Sequence, residues 1–219
     1  VSGAAGGIGG PLCRQLAVAG YHPLIGFASS KNSAQKLAAE TGGTALALDL
    51  TEPDQIEKAV AIILDSPFDL AGVVLAASPP PAIEPIFRLP SEEMRKQWIV
   101  NVTGPHELLG GVVRNLMRPR KKGWVVAVLS EAMGSDGTAA KSMGGYIIAK
   151  YGLLGLMKVL DAEYSWLDVH TVSPSYTETP MLNAFDPRFL DQVRASLPAK
   201  EFSSPDVVAA EILATTQGR

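Results

Sequence analysis

The residues with the clearest capacity for chemistry are a tyrosine and a lysine four positions apart, Tyr146 and Lys150, in a segment that reads Tyr-Ile-Ile-Ala-Lys. Residues at this spacing lie on one face of a helix. There a lysine ammonium can lower the pKa of the phenol, which at its ordinary value of about 10 is poorly matched to proton exchange at neutral pH. The pair therefore predicts a tyrosine that acts as a general acid or base. Packing on an ordinary helix face is the alternative.

A glycine-rich turn at residues 2–9, Ser-Gly-Ala-Ala-Gly-Gly-Ile-Gly, precedes an apolar helical pattern. Glycines permit positive φ and let a diphosphate approach the backbone, and the helix that follows contributes N–H donors and the positive end of its dipole. The segment therefore predicts a dinucleotide-binding turn. A sharp turn without a ligand is the alternative interpretation.

The residues after the next strand pattern bear on which dinucleotide would bind. Selection of NAD requires a carboxylate that accepts a hydrogen bond from the ribose 2′-hydroxyl, and the segment 27–32, Phe-Ala-Ser-Ser-Lys-Asn, contains none. Ser29, Ser30 and Lys31 have the groups needed to hold a 2′-phosphate instead. We therefore expect NADP (NADPH) as the preferred cofactor, with NAD as the alternative.

These groups need a scaffold that brings distant segments together, and the order of apolar patterns predicts one. Strand-like runs alternate with helical patterns, so parallel pairing with right-handed crossovers is expected. The predicted strands are 22–28, 44–50, 70–76, 123–129 and 168–172, and the predicted helices are 11–19, 33–41, 53–65, 91–117, 146–164 and 205–216. The runs are continuously apolar, as in strands that helices cover on both faces. Residues 1–219 therefore predict a single Rossmann-type, doubly wound α/β domain with three layers.

The glycine turn, the Tyr146–Lys150 pair and the order of the elements resemble the short-chain dehydrogenases/reductases of the classical type, 3-oxoacyl-carrier-protein reductases among them. The turn is similar to the family's TGxxxGIG, with Ser2 in place of the threonine. The resemblance covers essentially the whole chain. It implies an enzyme, an NAD(P)-dependent oxidoreductase of the cytoplasm that moves hydride reversibly between a nicotinamide and a small-molecule ketone or secondary alcohol.

The resemblance also assigns cofactor contacts to several separate segments. The implied cofactor-binding residues are Ser2, Gly3, Gly7, Ile8, Gly9, Ser29, Ser30, Lys31, Asp49, Leu50, Ala76, Ala77, Tyr146, Lys150, Pro174, Thr177 and Thr179. Asp49 is expected at the adenine, Lys150 at the ribose, and Thr177 and Thr179 at the nicotinamide amide. For Asp49, a plain cap at the end of a strand is the alternative. Residues 75–78, Leu-Ala-Ala-Ser, depart from the family's Asn-Asn-Ala-Gly.

The catalytic serine is a second point at which the sequence departs from the family pattern. The family's Ser-Ser-x-x-Gly is replaced by Ser130-Glu131-Ala-Met-Gly134, followed by a longer approach to Tyr146. Alignment on Gly134 puts Glu131 in the serine position, whereas alignment on the end of the strand puts Ser130 there. An ionised glutamate would oppose the negative charge that develops on a carbonyl oxygen. We therefore expect Ser130 to be the catalytic serine.

Asn101 is the fourth catalytic residue that the resemblance implies, as the family's asparagine that supports a water in a proton relay. Pro105 supplies an independent physical reason. Because proline has no N–H, the carbonyl of Asn101, four residues earlier, loses its partner in a regular helix. We expect an irregular helix at Asn101, with the freed carbonyl directed into the site, where it could hold that water.

Two further regions are expected to shape the surroundings of the site. Residues 180–200 mix apolar side chains with prolines and predict a lid over the substrate, with a poorly ordered loop as the alternative. Residues 151–157 carry no charge, and a helix that is apolar all round must be covered on both sides. The resemblance implies that a second subunit covers it, in a homodimer or homotetramer built through helices 91–117 and 146–164.

Composition excludes several other classes of protein. The formal net charge of −3 gives no electrostatic footprint for nucleic acid, and no apolar run reaches the ~18 residues of a membrane span. The single cysteine, Cys13, excludes an internal disulfide and fits a reducing compartment. Three separated histidines predict no metal site. Because the sequence begins at Val1, directly before the glycine turn, we expect most of the first strand to precede it.

An NADP-binding sensor or scaffold of the same fold, with little or no turnover, is the rival hypothesis. The disturbed serine segment is the feature that favours it. The orientation of Ser130 and Glu131 relative to the Tyr146 hydroxyl distinguishes the two hypotheses, because carbonyl chemistry needs the serine at that position.

Overall fold

The strands of the computed structural model, which describes residues 1–134 and 138–216, form one parallel arrangement in two halves. They are β1 (Leu24–Phe27), β2 (Thr44–Ala47), β3 (Gly72–Leu75), β4 (Trp124–Val128) and β5 (Asp168–Val172). β1 pairs with β2, and β4 lies between β3 and β5. Each strand falls within its predicted run, and four of the five are shorter than predicted.

Residues 1–4 join the two halves of the sheet. On one side, Gly26 of β1 donates its N–H to the Val1 carbonyl at 2.9 Å, and Ala4 donates to the Gly26 carbonyl at 3.0 Å. On the other side, Ser2 donates its N–H to the Val74 carbonyl of β3 at 2.9 Å. The order across the sheet is therefore β2, β1, residues 1–4, β3, β4, β5, and the direction of winding reverses at the glycine turn. Ligands of doubly wound sheets bind at this switch point.

Helices cover both faces of the sheet. They are α1 (Gly9–Val18), α2 (Lys31–Thr41), α3 (Pro53–Leu64), α4 (Ser91–Trp98), α5 (Gly104–Val112), α6 (Arg118–Arg120), α7 (Gly144–Glu163), α8 (Pro187–Ser196) and α9 (Pro205–Thr216). Alternate strand residues enter two cores: Val73 and Val125 pack with α3, α5 and α7, whereas Val74 and Val126 pack with α1 and α9. The predicted three-layer, doubly wound fold is confirmed.

The long helix predicted over 91–117 is interrupted twice. π-Helical segments at Ile99–Thr103 and Val113–Met117 separate α4, α5 and α6. Each precedes a proline, Pro105 or Pro119, whose missing N–H and bulky ring disfavour a regular α-helical turn. The irregularity expected from Pro105 is confirmed. The second interruption, and the extension of the helix to Arg120, were not predicted.

The predicted lid contains helices rather than an irregular loop. A 3₁₀ turn at Pro180–Ala184 leads into α8, whose first turn is capped by Asp186: its carboxylate accepts from the Arg188 N–H at 2.8 Å. Phe185 stacks with Phe189 at 5.8 Å between ring centroids, and both pack edge-on against Tyr176 of the segment that follows β5. Aromatic contacts therefore connect this segment to the body of the domain.

A cavity of about 330 Å³ lies between the two halves of the sheet, at the amino ends of β1 and β3. Leu24, Val73 and Trp124 contribute to its apolar lining. None of the predicted catalytic residues, all of which the structure describes, lines it. No helix in the described ranges is long and apolar enough to span a bilayer.

Candidate active site

Three of the four predicted catalytic residues lie together at the carboxyl edge of the sheet. Ser130 lies two residues beyond the end of β4, and Tyr146 and Lys150 occupy the first two turns of α7. Lys150 reaches back under the helix to β4, where its ammonium donates to the Val128 carbonyl at 2.7 Å. The end of one strand and the start of one helix therefore hold three of the four residues together.

Ser130 and not Glu131 meets the tyrosine. The Ser130 oxygen accepts from the Ala132 N–H at 3.2 Å, as the N-cap of the 3₁₀ turn Glu131–Met133. A side-chain hydrogen bond links Ser130 to the Tyr146 phenol and lowers the pKa of that phenol. Glu131 is exposed, and its N–H donates to the Pro174 carbonyl at 3.0 Å. The strand end, rather than Gly134, is the correct reference for aligning this segment.

Burial dominates the electrostatics of the tyrosine and the lysine. It raises the pKa of Tyr146, an effect that the hydrogen bond with Ser130 partly opposes. It also lowers the pKa of Lys150 to about 7. The ammonium lies 5.6 Å from the centroid of the Tyr146 ring. The pKa of the phenol is therefore raised rather than lowered in this structure, and burial is the cause.

Asn101 lies in the first π-helical segment and is fully buried. Its side-chain NH₂ donates to the carbonyl of Gln97 at 2.9 Å and to the side-chain oxygen of Gln97 at 3.2 Å. Its own side-chain oxygen, Oδ1, has no partner among the residues that the structure describes. A buried acceptor without a donor is uncommon and marks a position where a bound group can supply one.

Sequence reasoning missed Gln97. This residue is only 2 % exposed, and its side-chain NH₂ donates to the carbonyls of Pro79 and Pro80 at 3.2 and 2.9 Å. Its neighbours Arg95, Lys96 and Trp98 are exposed, so the surrounding sequence reads as a solvated helix face. The signal that could have found Gln97 is its position one turn before Asn101, on the same side of the helix.

The glycine turn is packed so closely that side chains do not fit at its glycines. Gly3 has φ +64°, and a Cβ there would lie 2.7 Å from the Cα of Ala77. A Cβ on Gly7 would lie 2.5 Å from Thr179, and one on Gly9 would lie 2.5 Å from the Cα of Ala4. Ala77 and Thr179 are themselves predicted cofactor-binding residues. The fold therefore brings three of the predicted cofactor segments into contact, and only glycine permits this close approach.

Several other predicted cofactor residues use their polar groups within the protein. The hydroxyl oxygen of Ser2 is buried and accepts from the N–H groups of Ala76 and Ala77 at 3.2 Å each. Thr177 donates its hydroxyl to the Ser175 carbonyl at 2.9 Å. Ser2 therefore braces the end of β3 with its hydroxyl oxygen.

The remaining predicted positions lie around the same edge. Asp49 accepts from the N–H and the hydroxyl of Thr51 at 2.9 and 2.7 Å, so the capping role left open for it is present. Leu50 is buried, and its carbonyl lies so close to Gly104 that a Cβ there would approach to 2.4 Å. Ser29, Ser30 and Lys31 are exposed at the start of α2. Ile8 precedes α1, and Pro174 receives the N–H of Glu131.

Apolar side chains surround the phenol. Tyr146, Met143 and Ile147 form a buried cluster against which Ala132 and Ala140 pack. Met181 and Phe185 of the lid pack against the same cluster. The arrangement places a proton donor, a neighbouring hydroxyl and a buried amine beside an apolar wall, which suits proton transfer to an uncharged oxygen.

Comparison with known proteins gives consistent matches over nearly the whole chain. A sequence profile of the family described as enoyl-(acyl carrier protein) reductase matches residues 3–215. A 3-oxoacyl-[acyl-carrier-protein] reductase, FabG of Vibrio cholerae, is 29 % identical over 216 residues, which are 97 % of this chain and 86 % of that protein. The acetoacetyl-CoA reductase of an Acinetobacter species is 28 % identical over 219 residues, 97 % of this chain and 87 % of that protein.

Solved structures show the same fold. A variant of actinorhodin polyketide ketoreductase, crystallised with NADPH, has a TM-score of 0.88 at 21 % identity, and the match covers 99 % of this chain and 88 % of that one. A structure described as a short chain dehydrogenase/reductase family protein has a TM-score of 0.86 at 23 % identity, with 99 % and 87 % covered. At these identities the likeness establishes the fold.

Proposed function

The chain belongs to the short-chain dehydrogenase/reductase family of oxidoreductases, and on that premise we propose that it transfers hydride reversibly between NADP and a ketone or secondary alcohol, with Tyr146 as the general acid and base. The observation that carries this proposal is the side-chain hydrogen bond between Ser130 and the Tyr146 phenol, one helical turn from the buried Lys150. A phenol and a hydroxyl in direct contact, facing an apolar wall, can both donate to one carbonyl oxygen.

In the direction of reduction, Tyr146 gives its proton to the carbonyl oxygen of the substrate. Ser130 donates a hydrogen bond to the same oxygen and stabilises the negative charge that develops there. The nicotinamide, when bound, supplies the hydride that the carbonyl carbon receives. Lys150, 5.6 Å from the phenol ring, stabilises the phenolate that remains, because its charge acts in a buried, water-poor site.

Asn101 completes the set by supporting the return of a proton. Its buried side-chain oxygen lacks a donor within the described chain, and Pro105 cannot donate to its main-chain carbonyl. The side-chain oxygen can accept from the proton-relay water that the family resemblance implies for this asparagine.

The glycine turn fits a dinucleotide. Gly3, Gly7 and Gly9 let the turn pack directly against Ala77, Thr179 and Ala4, and the turn lies at the reversal point of the sheet, where doubly wound folds bind their ligands. Residues 2–9 would hold the diphosphate, Asp49 the adenine, Lys150 the ribose, and the segment of Thr177 and Thr179 the nicotinamide. The proposed cofactor site thus extends across the carboxyl edge of the sheet.

The preference for NADP rests on Lys31. Together with Ser29 and Ser30 it is exposed at the start of α2, and no carboxylate competes with a 2′-phosphate in the segment 27–32. Lys31→Ala should raise the Kd of NADPH about 5–10-fold and leave the Kd of NADH unchanged. Lys36→Ala, also exposed on α2, is the matched control. Equal effects on both cofactors at Lys31 would refute this assignment.

The substrate that fits best is an uncharged, apolar ketone. The uncharged side chains of Met143, Ile147, Met181 and Phe185 belong to or pack against the cluster that contains Tyr146. The names of two relatives, a 3-oxoacyl-[acyl-carrier-protein] reductase and an acetoacetyl-CoA reductase, favour the 3-oxo carbonyl of an acyl thioester within this class. A panel that compares simple apolar ketones, 3-oxoacyl thioesters and charged 2-oxo acids tests it, and a preference for the charged acids would refute it.

A second copy of the chain is the partner that we propose for α7. Ile148, Tyr151 and Val159 lie 42–51 % exposed along this helix, and Trp98 of α4 is 42 % exposed beside it. Val159→Lys should lower the mass measured by light scattering to that of a monomer, whereas Val207→Lys, an exposed valine of α9, should not. A monomeric wild type would refute the assignment.

The decisive test replaces the phenol. Tyr146→Phe should lower kcat for carbonyl reduction by about 10²–10⁴-fold and leave NADPH affinity unchanged. Tyr151→Phe is the matched control, since Tyr151 lies on the same helix and donates to the Met133 carbonyl at 3.0 Å. An unchanged rate in Tyr146→Phe would remove the catalytic assignment. Binding of NADPH without reduction of any carbonyl would favour the sensor or scaffold, whose sequence support has weakened because Ser130 meets Tyr146.

A further inference from the structure

The loop that follows β3 offers hydrogen-bond acceptors but few donors. Pro79, Pro80 and Pro81 are consecutive, and proline has a carbonyl but no N–H. The carbonyls of Pro79 and Pro80 both face the side chain of Gln97. Any polar group packed against this loop must therefore turn its donors toward it.

The proline run determines the orientation of Gln97. Its NH₂ donates to the Pro79 and Pro80 carbonyls, so its side-chain oxygen, Oε1, faces the opposite way. That oxygen accepts from the side-chain NH₂ of Asn101 at 3.2 Å. If the Gln97 amide were reversed, its oxygen would face two carbonyl oxygens, and a buried contact between acceptors is costly.

Gln97 in turn determines the orientation of Asn101. Both N–H groups of the Asn101 side chain are used by Gln97, one by its side-chain oxygen and one by its main-chain carbonyl at 2.9 Å. The Asn101 oxygen, Oδ1, must then point away from Gln97, and it is the atom that has no donor among the described residues. The proline carbonyls thus fix the orientation of the Gln97 amide, and the Gln97 amide fixes the orientation of the Asn101 amide.

We propose that Gln97 is a positioning residue for the reaction: it holds the Asn101 amide so that an oxygen, and not an NH₂, is presented to the donor that binds at the site. The donor is a hydroxyl group, of water or of the bound reactants. This inference rests on the proposed function for its catalytic consequence, whereas the orientation of the amide is testable without turnover.

The chain contains a natural control for this arrangement. Asn115 also donates its side-chain NH₂ to the carbonyl four residues earlier, that of Gly111, at 2.7 Å. At that position glycine stands where Asn101 has Gln97, so Asn115 has no side-chain acceptor from the preceding turn. Asn115 is exposed and serves as the internal reference for Asn101.

The first experiment measures hydrogen exchange at the asparagine side chains. The sequence contains only four asparagines, so selective ¹⁵N-asparagine labelling gives four side-chain amide pairs that single substitutions assign. Gln97→Met, which keeps the length of the side chain and removes its polar atoms, should speed exchange of the Asn101 NH₂ about tenfold, as expected for one lost buried hydrogen bond. The Asn115 NH₂ should not change. Unchanged exchange at Asn101 would overturn the proposal.

A conservative variant separates orientation from packing and replaces Gln97→Met if that protein does not fold. In Gln97→Glu the carboxyl faces the proline carbonyls, so burial keeps it protonated at pH 6. Its O–H then donates to the loop, and its C=O accepts from Asn101. Exchange at Asn101 should stay within about threefold of the wild type. Exchange of the Asn101 NH₂ as fast as that of the exposed Asn115 NH₂ would overturn the proposal.

The second experiment tests whether Gln97 acts through Asn101. Gln97→Met should lower kcat about tenfold in the wild type and less than twofold in the Asn101→Ala background, with KM unchanged in both. Independent effects that multiply would overturn the proposal. If the wild type reduces no carbonyl, the proposed function fails, and the exchange measurement still decides the role of Gln97.

Discussion

Two segments of the same long helix repeat one local design in two different environments. The π-helical segments Ile99–Thr103 and Val113–Met117 start 14 residues apart, and Pro105 and Pro119 stand at equivalent positions after them. In each, the residue before the proline donates its N–H to a carbonyl five residues back rather than four. The proline imposes the same backbone solution twice, because it removes the same donor twice.

The environments differ completely. Asn101 is buried against Gln97 and has an oxygen without a donor in the described chain, whereas Asn115 is exposed and faces a glycine one turn earlier. The comparison teaches that a proline-widened turn is not by itself a functional feature. It becomes one where packing removes water from the asparagine and supplies an orienting partner.

Substitution of the two asparagines should give the largest contrast. Asn101→Ala removes the buried oxygen and should lower kcat about 100-fold, since general acid–base support is worth this much. Asn115→Ala should change kcat less than twofold. Steady-state kinetics of carbonyl reduction with NADPH measure both, and similar losses at the two sites would erase the distinction between the segments.

Gly104 and Arg118, the residues before the two prolines, should show the next largest contrast, in the free energy of unfolding. A Cβ on Gly104 would lie 2.4 Å from the Leu50 carbonyl oxygen, so Gly104→Ala should lower the free energy of unfolding by about 2–3 kcal/mol. Arg118, the equivalent residue, is exposed, and Arg118→Ala should change it by less than about 0.5 kcal/mol. Urea unfolding measures both values. An unchanged free energy of unfolding in Gly104→Ala would mean that the π-helical segment Ile99–Thr103 can move away from Leu50.

Two lysines of α7, the buried Lys150 and the exposed Lys158, should differ in how they affect the dependence of stability on pH. The pKa of Lys150 is lowered to about 7 from its ordinary 10.5, so between these values the unfolded chain binds more protons than the folded one. Lys150→Met should therefore stabilise the protein by a few kcal/mol below pH 7, an advantage that disappears as pH rises to 10.5.

Lys158 is exposed on the same helix, and Lys158→Met should change the melting temperature little at any pH. Thermal melts from pH 6 to pH 10 compare the two variants. A melting temperature of Lys150→Met that runs parallel to the wild type across this range would contradict the burial of a titrating lysine.

The prolines should give the smallest contrast. Pro105→Ala restores an N–H that competes for the Asn101 carbonyl, so kcat should fall about 3–10-fold while the fold is kept. Pro119→Ala restores the same donor opposite Asn115 and should leave kcat unchanged. The result that would count against the role of the Asn101 carbonyl is an equal kcat in both variants and the wild type.

Much of the fold could be predicted from the sequence, because it depends on patterns that lie close together in the chain. The alternation of apolar runs indicated parallel strands between helices, and all five described strands fall within the predicted runs. The Tyr146–Lys150 spacing predicted one helical face, and α7 has both side chains buried at its start. Periodicity and turn chemistry carry this information locally.

The site was predicted less completely, because its geometry depends on contacts between distant segments. Two alignments were open for the serine, and only the packing of β4 against α7 puts Ser130 rather than Glu131 on the phenol. The tyrosine pKa was expected to be lowered, and burial instead raises it. The burial of Gln97 could not be predicted, because its neighbours along the chain have the pattern of an exposed helix face.

The sequence by itself determined where the helix must break, since the lack of an N–H at Pro105 and Pro119 is a covalent property. It also determined that Pro79 and Pro80 offer only acceptors. Only the tertiary structure decided that the proline loop, Gln97 and Asn101 form one chain of hydrogen bonds. Burial is a property of the folded domain, and burial makes each unpaired donor or acceptor costly enough to orient its neighbour.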